Sequence, residues 1–126
     1  MPVQTFANPQ NPAHLMHVRP VAARVRVTRQ GEVLADSTSA LRVMETGREP
    51  YDPVLYLPRD DVAEALVAVA GKTSHCPLKG DAVYFSHDGE VVAWSYDRPL
   101  PSGEILRDRV AFYADKVTIE EIGAAQ

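Results

Sequence analysis

Within this chain of 126 residues the most unusual local sequence is His75-Cys76-Pro77-Leu78-Lys79-Gly80. The only thiol of the protein follows a histidine, precedes a proline and stands three positions before a lysine. A residue before proline is confined to extended backbone, so Cys76 has little conformational freedom. A neighbouring lysine or histidine cation raises the thiolate fraction of a cysteine, which a nucleophile or redox thiol requires. The competing reading is a buried structural cysteine, because free cysteine is among the most buried residue types. Lys79 followed by Gly80 sets an ammonium beside backbone that an anion can approach closely, against the alternative of a solvated surface lysine. Cys76 and Lys79 are therefore the catalytic candidates. His75 is a general base without a visible partner.

Carboxylates and aromatics supply the ligand-binding candidates. Asp36 and Glu45 are expected on apolar faces of their strands, which is costly unless they are paired or used. Arg24, Arg26, Arg42 and Arg59 are the available partners, and Arg59 is itself a ligand-binding candidate. Asp60-Asp61 fits helix capping. Tyr56 and Trp94 read as core, whereas Tyr84 and Tyr96 fall where they could line a pocket mouth. His14, His17 and His87 show no ligand spacing, so neither a metal nor another cofactor is expected. One cysteine also excludes an intramolecular disulfide framework and any zinc site needing two thiolates from this chain.

The elements that would position these groups are mostly strands. Residues 1–20 carry Pro2, Pro9, Pro12 and Pro20 and read as an extended N-terminal arm, with one globular β-rich domain over 21–122. Val21, Ala23, Val25 and Val27 alternate with Arg24 and Arg26, and Gln30-Gly31 supplies a hairpin turn. That turn predicts Arg29 opposite Glu32 as an ion pair, Val27 opposite Leu34 and Val25 opposite Asp36. A third strand is expected over Ala40 to Glu45, broken by Gly47 and Pro50, then a short one at Val54 to Leu57. Val62, Ala65, Leu66 and Val69 recur at helical spacing, with Asp61 and Glu64 as a capping box. One short helix is therefore expected near residues 61–70, ended by Gly71.

Asp81 to Asp97 reads as a second hairpin about Asp88-Gly89. Pairing outward from it sets Phe85 against Val92, Val83 against Trp94 and Asp81 against Tyr96, with Tyr84 against Ala93 on the other face. Asp81 opposite Tyr96 would bring the Cys76–Gly80 turn beside Tyr96. Val110 to Tyr113 and Val117 to Ile119 complete a mainly β chain, α+β at most.

A net charge of −4 makes non-specific attraction to nucleic acid weak, and no apolar stretch approaches the ~20 residues of a membrane span. With no export signal visible after Met1-Pro2-Val3-Gln4, a cytoplasmic location is expected.

Several runs carry a family resemblance: Tyr56-Leu57-Pro58-Arg59-Asp60-Asp61-Val62, Thr73 to Tyr84, Ala93-Trp94-Ser95-Tyr96-Asp97-Arg98-Pro99 and Val110-Ala111-Phe112-Tyr113. With Asp36-Ser37 and Glu45, they resemble the domain of unknown function 427 family over most of residues 20–120, Leu78 standing where an aromatic is common. The resemblance implies twisted antiparallel sheets of the Mss4-like type. That broader fold often holds zinc through paired cysteines, which this chain lacks. Some members carry a nucleotidyltransferase label, but the clustered carboxylates and phosphate cradle of that chemistry are not recognisable here.

Together these readings predict a small-molecule pocket for an anionic ligand, with a catalytic role open, built from Cys76, Lys79, Asp36, Glu45, Arg59, Tyr84 and Tyr96. A homodimer or other protein-interaction module is the alternative, and a redox-responsive thiol the third reading.

Overall fold

A computed structural model describes residues 3–47 and 51–123. Pro2 and Pro50, which figure in the sequence reading, lie outside the described residues. Among the described residues there are eleven strands: β1 (Gln4–Asn8), β2 (Asn11–Pro20), β3 (Arg24–Arg29), β4 (Glu32–Ser37), β5 (Leu41–Thr46), β6 (Val54–Pro58), β7 (Val67–Cys76), β8 (Gly80–His87), β9 (Glu90–Pro99), β10 (Arg109–Phe112) and β11 (Thr118–Ile122). Eight form one antiparallel sheet in the order β1-β2-β5-β6-β10-β9-β8-β7, and β11-β3-β4 form a second. The chain is thus mainly β, as its alternating pattern predicts. Among the described residues no helix is long and apolar enough to cross a membrane.

The period of two along each strand divides the large sheet into two buried faces. Leu57, Val92, Val110 and Phe112 face the small sheet and meet Val25, Val27 and Leu34. Tyr56, Ala111, Leu41, Val43 and Tyr96 face the other way, with Met16, Leu78 and Leu106. Glu45 follows Val43 on that second face, which is how strand alternation delivers a carboxylate to an otherwise apolar surface.

The expected helix near residues 61–70 does not form. Arg59–Asp61 make a single 3-10 turn, and Val62 bridges Ala35. Val67-Ala68-Val69-Ala70 already belong to β7, paired with β8. The alternation of β-branched valine with alanine suits a strand, and about ten residues are too few for a helix to stand without a packed face. Val62 and Leu66 are buried as the helical reading required, but from an irregular segment. Gly71, expected as a helix end, takes φ +78° at an irregularity in β7 instead.

The proline-rich N-terminal residues are extended, and from Gln4 they form a hairpin whose second strand pairs with β5. Both hairpin turns sit where predicted, with positive φ at Gln30, Gly31, Asp88 and Gly89. Their registers differ from expectation because of bulges. Arg29 does lie opposite Glu32, but an extra residue in β4 then pairs Val27 with Ala35 and Arg26 with Asp36. Asp36 is consequently turned away from the apolar face. The Arg29 guanidinium bonds Glu90 rather than Glu32. In the second hairpin two shifts set Tyr84 opposite Trp94, Val83 opposite Ser95 and Asp81 opposite Arg98. Tyr96 is therefore not the partner of Asp81.

Candidate functional site

Lys79 owes its position to how tightly its turn is clamped. Cys76 pairs with Gly80 across the reversal, and Leu78 is fully buried in the inner cluster. The chain segment after β9 closes over the turn: Leu100 N–H donates to Lys79 O at 3.0 Å, and Ser102 Oγ donates to Leu78 O. Two glycines permit this approach. Gly80 has φ +119°, where a Cβ would also lie 2.6 Å from Pro99 Cα, and a Cβ on Gly103 would lie 2.7 Å from Lys79 Cα. So held, Lys79 is only 8% exposed.

Its ammonium meets Glu45. Lys79 Nζ donates to Glu45 Oε1, while His14 Nε2 bonds Glu45 Oε2 at 2.7 Å. Behind His14, Asn8 Nδ2 lies 3.3 Å from His14 Nδ1, and Asn8 Oδ1 accepts from Gln10 N–H at 2.9 Å. That second bond orients the amide: its oxygen is spent on a backbone donor, so its nitrogen donates to Nδ1. Nδ1 is then the acceptor of the imidazole, and Nε2 carries the proton given to Glu45. The result is a directed chain from Asn8 through His14 and Glu45 to Lys79. Burial alone would raise the Glu45 carboxyl, but the hydrogen bonds from Lys79 and His14 and the charge of Lys79 outweigh it and hold it below its ordinary value. Burial likewise works against the Lys79 cation, yet Tyr96 and Glu45 hold its pKa above its ordinary value. Both groups are charged at neutral pH. In this arrangement Lys79 is an ammonium that donates a hydrogen bond to Glu45.

The ion pair lies in a pocket of about 290 Å³ walled by aromatic rings, among them Tyr56, Tyr84, Trp94, Tyr96 and Tyr113. Lys79 Nζ stands 5.8 Å from the Tyr96 ring centroid. Trp94 and Tyr56 meet edge to face, with Trp94 Nε1–H donating to the Tyr56 hydroxyl at 3.4 Å. Trp94 also packs on Tyr113 with centroids 4.6 Å apart. Burial pushes the Tyr56 and Tyr96 phenols well up, so they remain O–H donors. Tyr84 Oη is bonded to Ser74 Oγ at 2.7 Å, and Lys72 Nζ sits 4.6 Å from its ring centroid. Exposed Tyr51 and Asp52 complete the lining.

Of the residues singled out in the sequence, Lys79, Glu45, Tyr84 and Tyr96 come together in this pocket. Cys76 is half-buried and packs against the inner cluster next to the turn. Asp36 lies elsewhere, bonded by Arg24 at 2.7 Å and Arg26 at 3.3 Å on the outer face of the small sheet. Arg59 also lies elsewhere, over the Phe85 ring at 5.4 Å and in a separate groove with Arg107 and Arg109. His75 is exposed and bonded to Asp81 at 2.7 Å, with no part in the pocket.

Sequence reasoning missed Asn8 and His14, which stand far from Glu45 along the chain and meet it only through the β2–β5 pairing. Tyr56 is core as expected, and half-buried Trp94 packs against the same cluster, while both also line the pocket. Zinc of the kind the fold resemblance implies does not fit these residues. The single thiol packs against apolar side chains, and among the described residues no three His, Cys, Asp or Glu side chains converge as a metal site.

Comparison with known protein families finds a model described as a domain of unknown function (DUF427), which matches residues 17–123. No curated protein matches the chain.

Proposed function

Because the chain belongs to the DUF427 family of domains of unknown function, whose description carries no ligand, we propose from its pocket that it binds a small organic acid through Lys79. One observation carries this reading: a buried ammonium with unspent donors faces an aromatic pocket. An ammonium has three N–H groups, and among the described residues only Glu45 accepts one from Lys79. A ligand carboxylate would accept the remaining donors, and a flat or apolar body would lie against Trp94, Tyr84 and Tyr113. Glu45 does not forbid the anion, because His14 shares its charge. Its carboxylate holds the ammonium in place and keeps it protonated.

Thermal-shift and calorimetric titration with a panel of small organic acids tests the reading, since a ligand that binds only the folded chain raises its apparent stability. Lys79→Met, which keeps the length of the side chain and removes the charge, should abolish the shift while far-UV circular dichroism remains that of the wild type. Equal affinity in the wild type and Lys79→Met would overturn the assignment.

A further inference from the structure

The Lys79 pocket has a neighbour beyond its aromatic wall. Trp94, Tyr113, Val54 and Asp52 line it on one side and on the other line a second groove of about 360 Å³ between the two sheets. Pro53, Leu55, Phe112, Ala114 and Ile119 make that groove predominantly apolar. Its charged members Arg42 and Glu121 are bonded to one another, so they offer little to an incoming ion. A pocket holding an ion pair and a predominantly apolar groove are thus neighbours that share Trp94 and Tyr113, whose rings pack tilted against each other.

We infer that the ligand class is an amphipathic carboxylic acid: its head sits at Lys79 and its hydrocarbon tail passes Trp94 and Tyr113 into the inter-sheet groove. This rests on the proposed binding of an organic acid at Lys79. The four residues that the groove shares with that pocket commit it to the tail of the same molecule, reached over the Trp94 and Tyr113 rings. A tail covering Leu55 and Ile119 removes apolar surface from water on both sides, and each methylene buried there strengthens binding about fourfold.

The experiment is calorimetric titration of the full chain with straight-chain alkanoates from acetate to octanoate, in the wild type, Lys79→Met and Ala114→Asp. Ala114 is exposed, so Ala114→Asp sets a charge in the groove without disturbing the core. Affinity should be flat for the shortest acids and then climb about fourfold per methylene once the tail passes the Trp94 and Tyr113 rings. Ala114→Asp should flatten that climb and leave the shortest acids unchanged. Lys79-dependent binding that ignores chain length, or a climb that survives Ala114→Asp, would overturn the tail assignment and leave the Lys79 pocket standing. Binding of every acid unaffected by Lys79→Met, or no binding of any, would overturn both.

Discussion

Two histidines in this molecule are wired alike and end differently. His14 accepts at Nδ1 from Asn8 and donates at Nε2 to Glu45. His87 accepts at Nδ1 from Arg29 Nη1 at 2.9 Å, a bond whose direction is fixed because a guanidinium can only donate. Its Nε2 therefore carries a proton and gives it to Glu32 at 3.0 Å. From Glu45 the first chain runs to a lysine that faces a cavity. The second turns back on itself: Arg29 also bonds the His87 carbonyl and Glu90, and Glu90 accepts from Lys116. His87 is 2% exposed, and this knot ties the β3–β4 hairpin to the β8–β9 hairpin. Residue types alone do not separate a site from a structural clasp. The difference lies in whether the last donor has hydrogen-bonding capacity left and space before it.

The largest effect should come from breaking the clasp. Arg29→Met leaves the buried His87 Nδ1 without its donor and breaks the links to the His87 carbonyl and Glu90, and should cost roughly 2–3 kcal/mol, read by urea denaturation. Alkanoate affinity of the folded fraction should not change. If Arg29→Met weakened binding as much as Lys79→Met does, the two clusters would not be functionally separate.

Glu45→Gln should show the opposite balance, with a smaller stability loss and a larger binding defect. The pH dependence follows from the lowered carboxyl. A folded-state value below the ordinary 4.5 means that stability from the Glu45 charge is fully present above 4.5 and is lost as pH falls through the folded value. The stability difference between wild type and Glu45→Gln should therefore be constant near neutrality and shrink in acid. Lys79, with its value raised, contributes stability at all pH values below its ordinary 10.5 and loses it only as pH climbs through the folded value. A difference that grew on acidification would show that Glu45 is not held as a carboxylate by its partners.

The contrast between clasp and pocket also marks what the sequence could convey. Alternation and turn chemistry are local, so Gln30-Gly31, Asp88-Gly89 and the strands around them were legible, as was the Cys76–Gly80 turn with Lys79. A bulge is one extra residue whose cost is settled by packing across strands, so it left no mark in the pattern. One bulge was enough to turn Asp36 from the core face to Arg24 and Arg26, and another brought Tyr84 opposite Trp94. Val67 to Ala70 fit two periods at once, and the free edge beside β8 decided for the strand. Neither histidine chain could be read, because each joins segments far apart in sequence: His14 to Glu45, and Arg29 to His87.

The smallest effect, and the sharpest test of the wiring, is expected for Asn8→Ala. The bond that Asn8 gives His14 is long at 3.3 Å, and its other bond only closes the turn to Gln10. Loss of both should cost about 1 kcal/mol of stability. Without Asn8 the imidazole is free to exchange tautomers, and the form protonated on Nδ1 presents a lone pair to Glu45 where a proton had been. Glu45 then keeps more of its charge for Lys79 and competes better with an incoming carboxylate. Alkanoate affinity should fall by a few-fold, and nitrogen-15 chemical shifts of the His14 ring should move from a single Nε2–H tautomer toward the exchanging average. An unchanged tautomer with unchanged affinity would mean that Glu45 alone orders the imidazole, and that the chain into the pocket begins at His14.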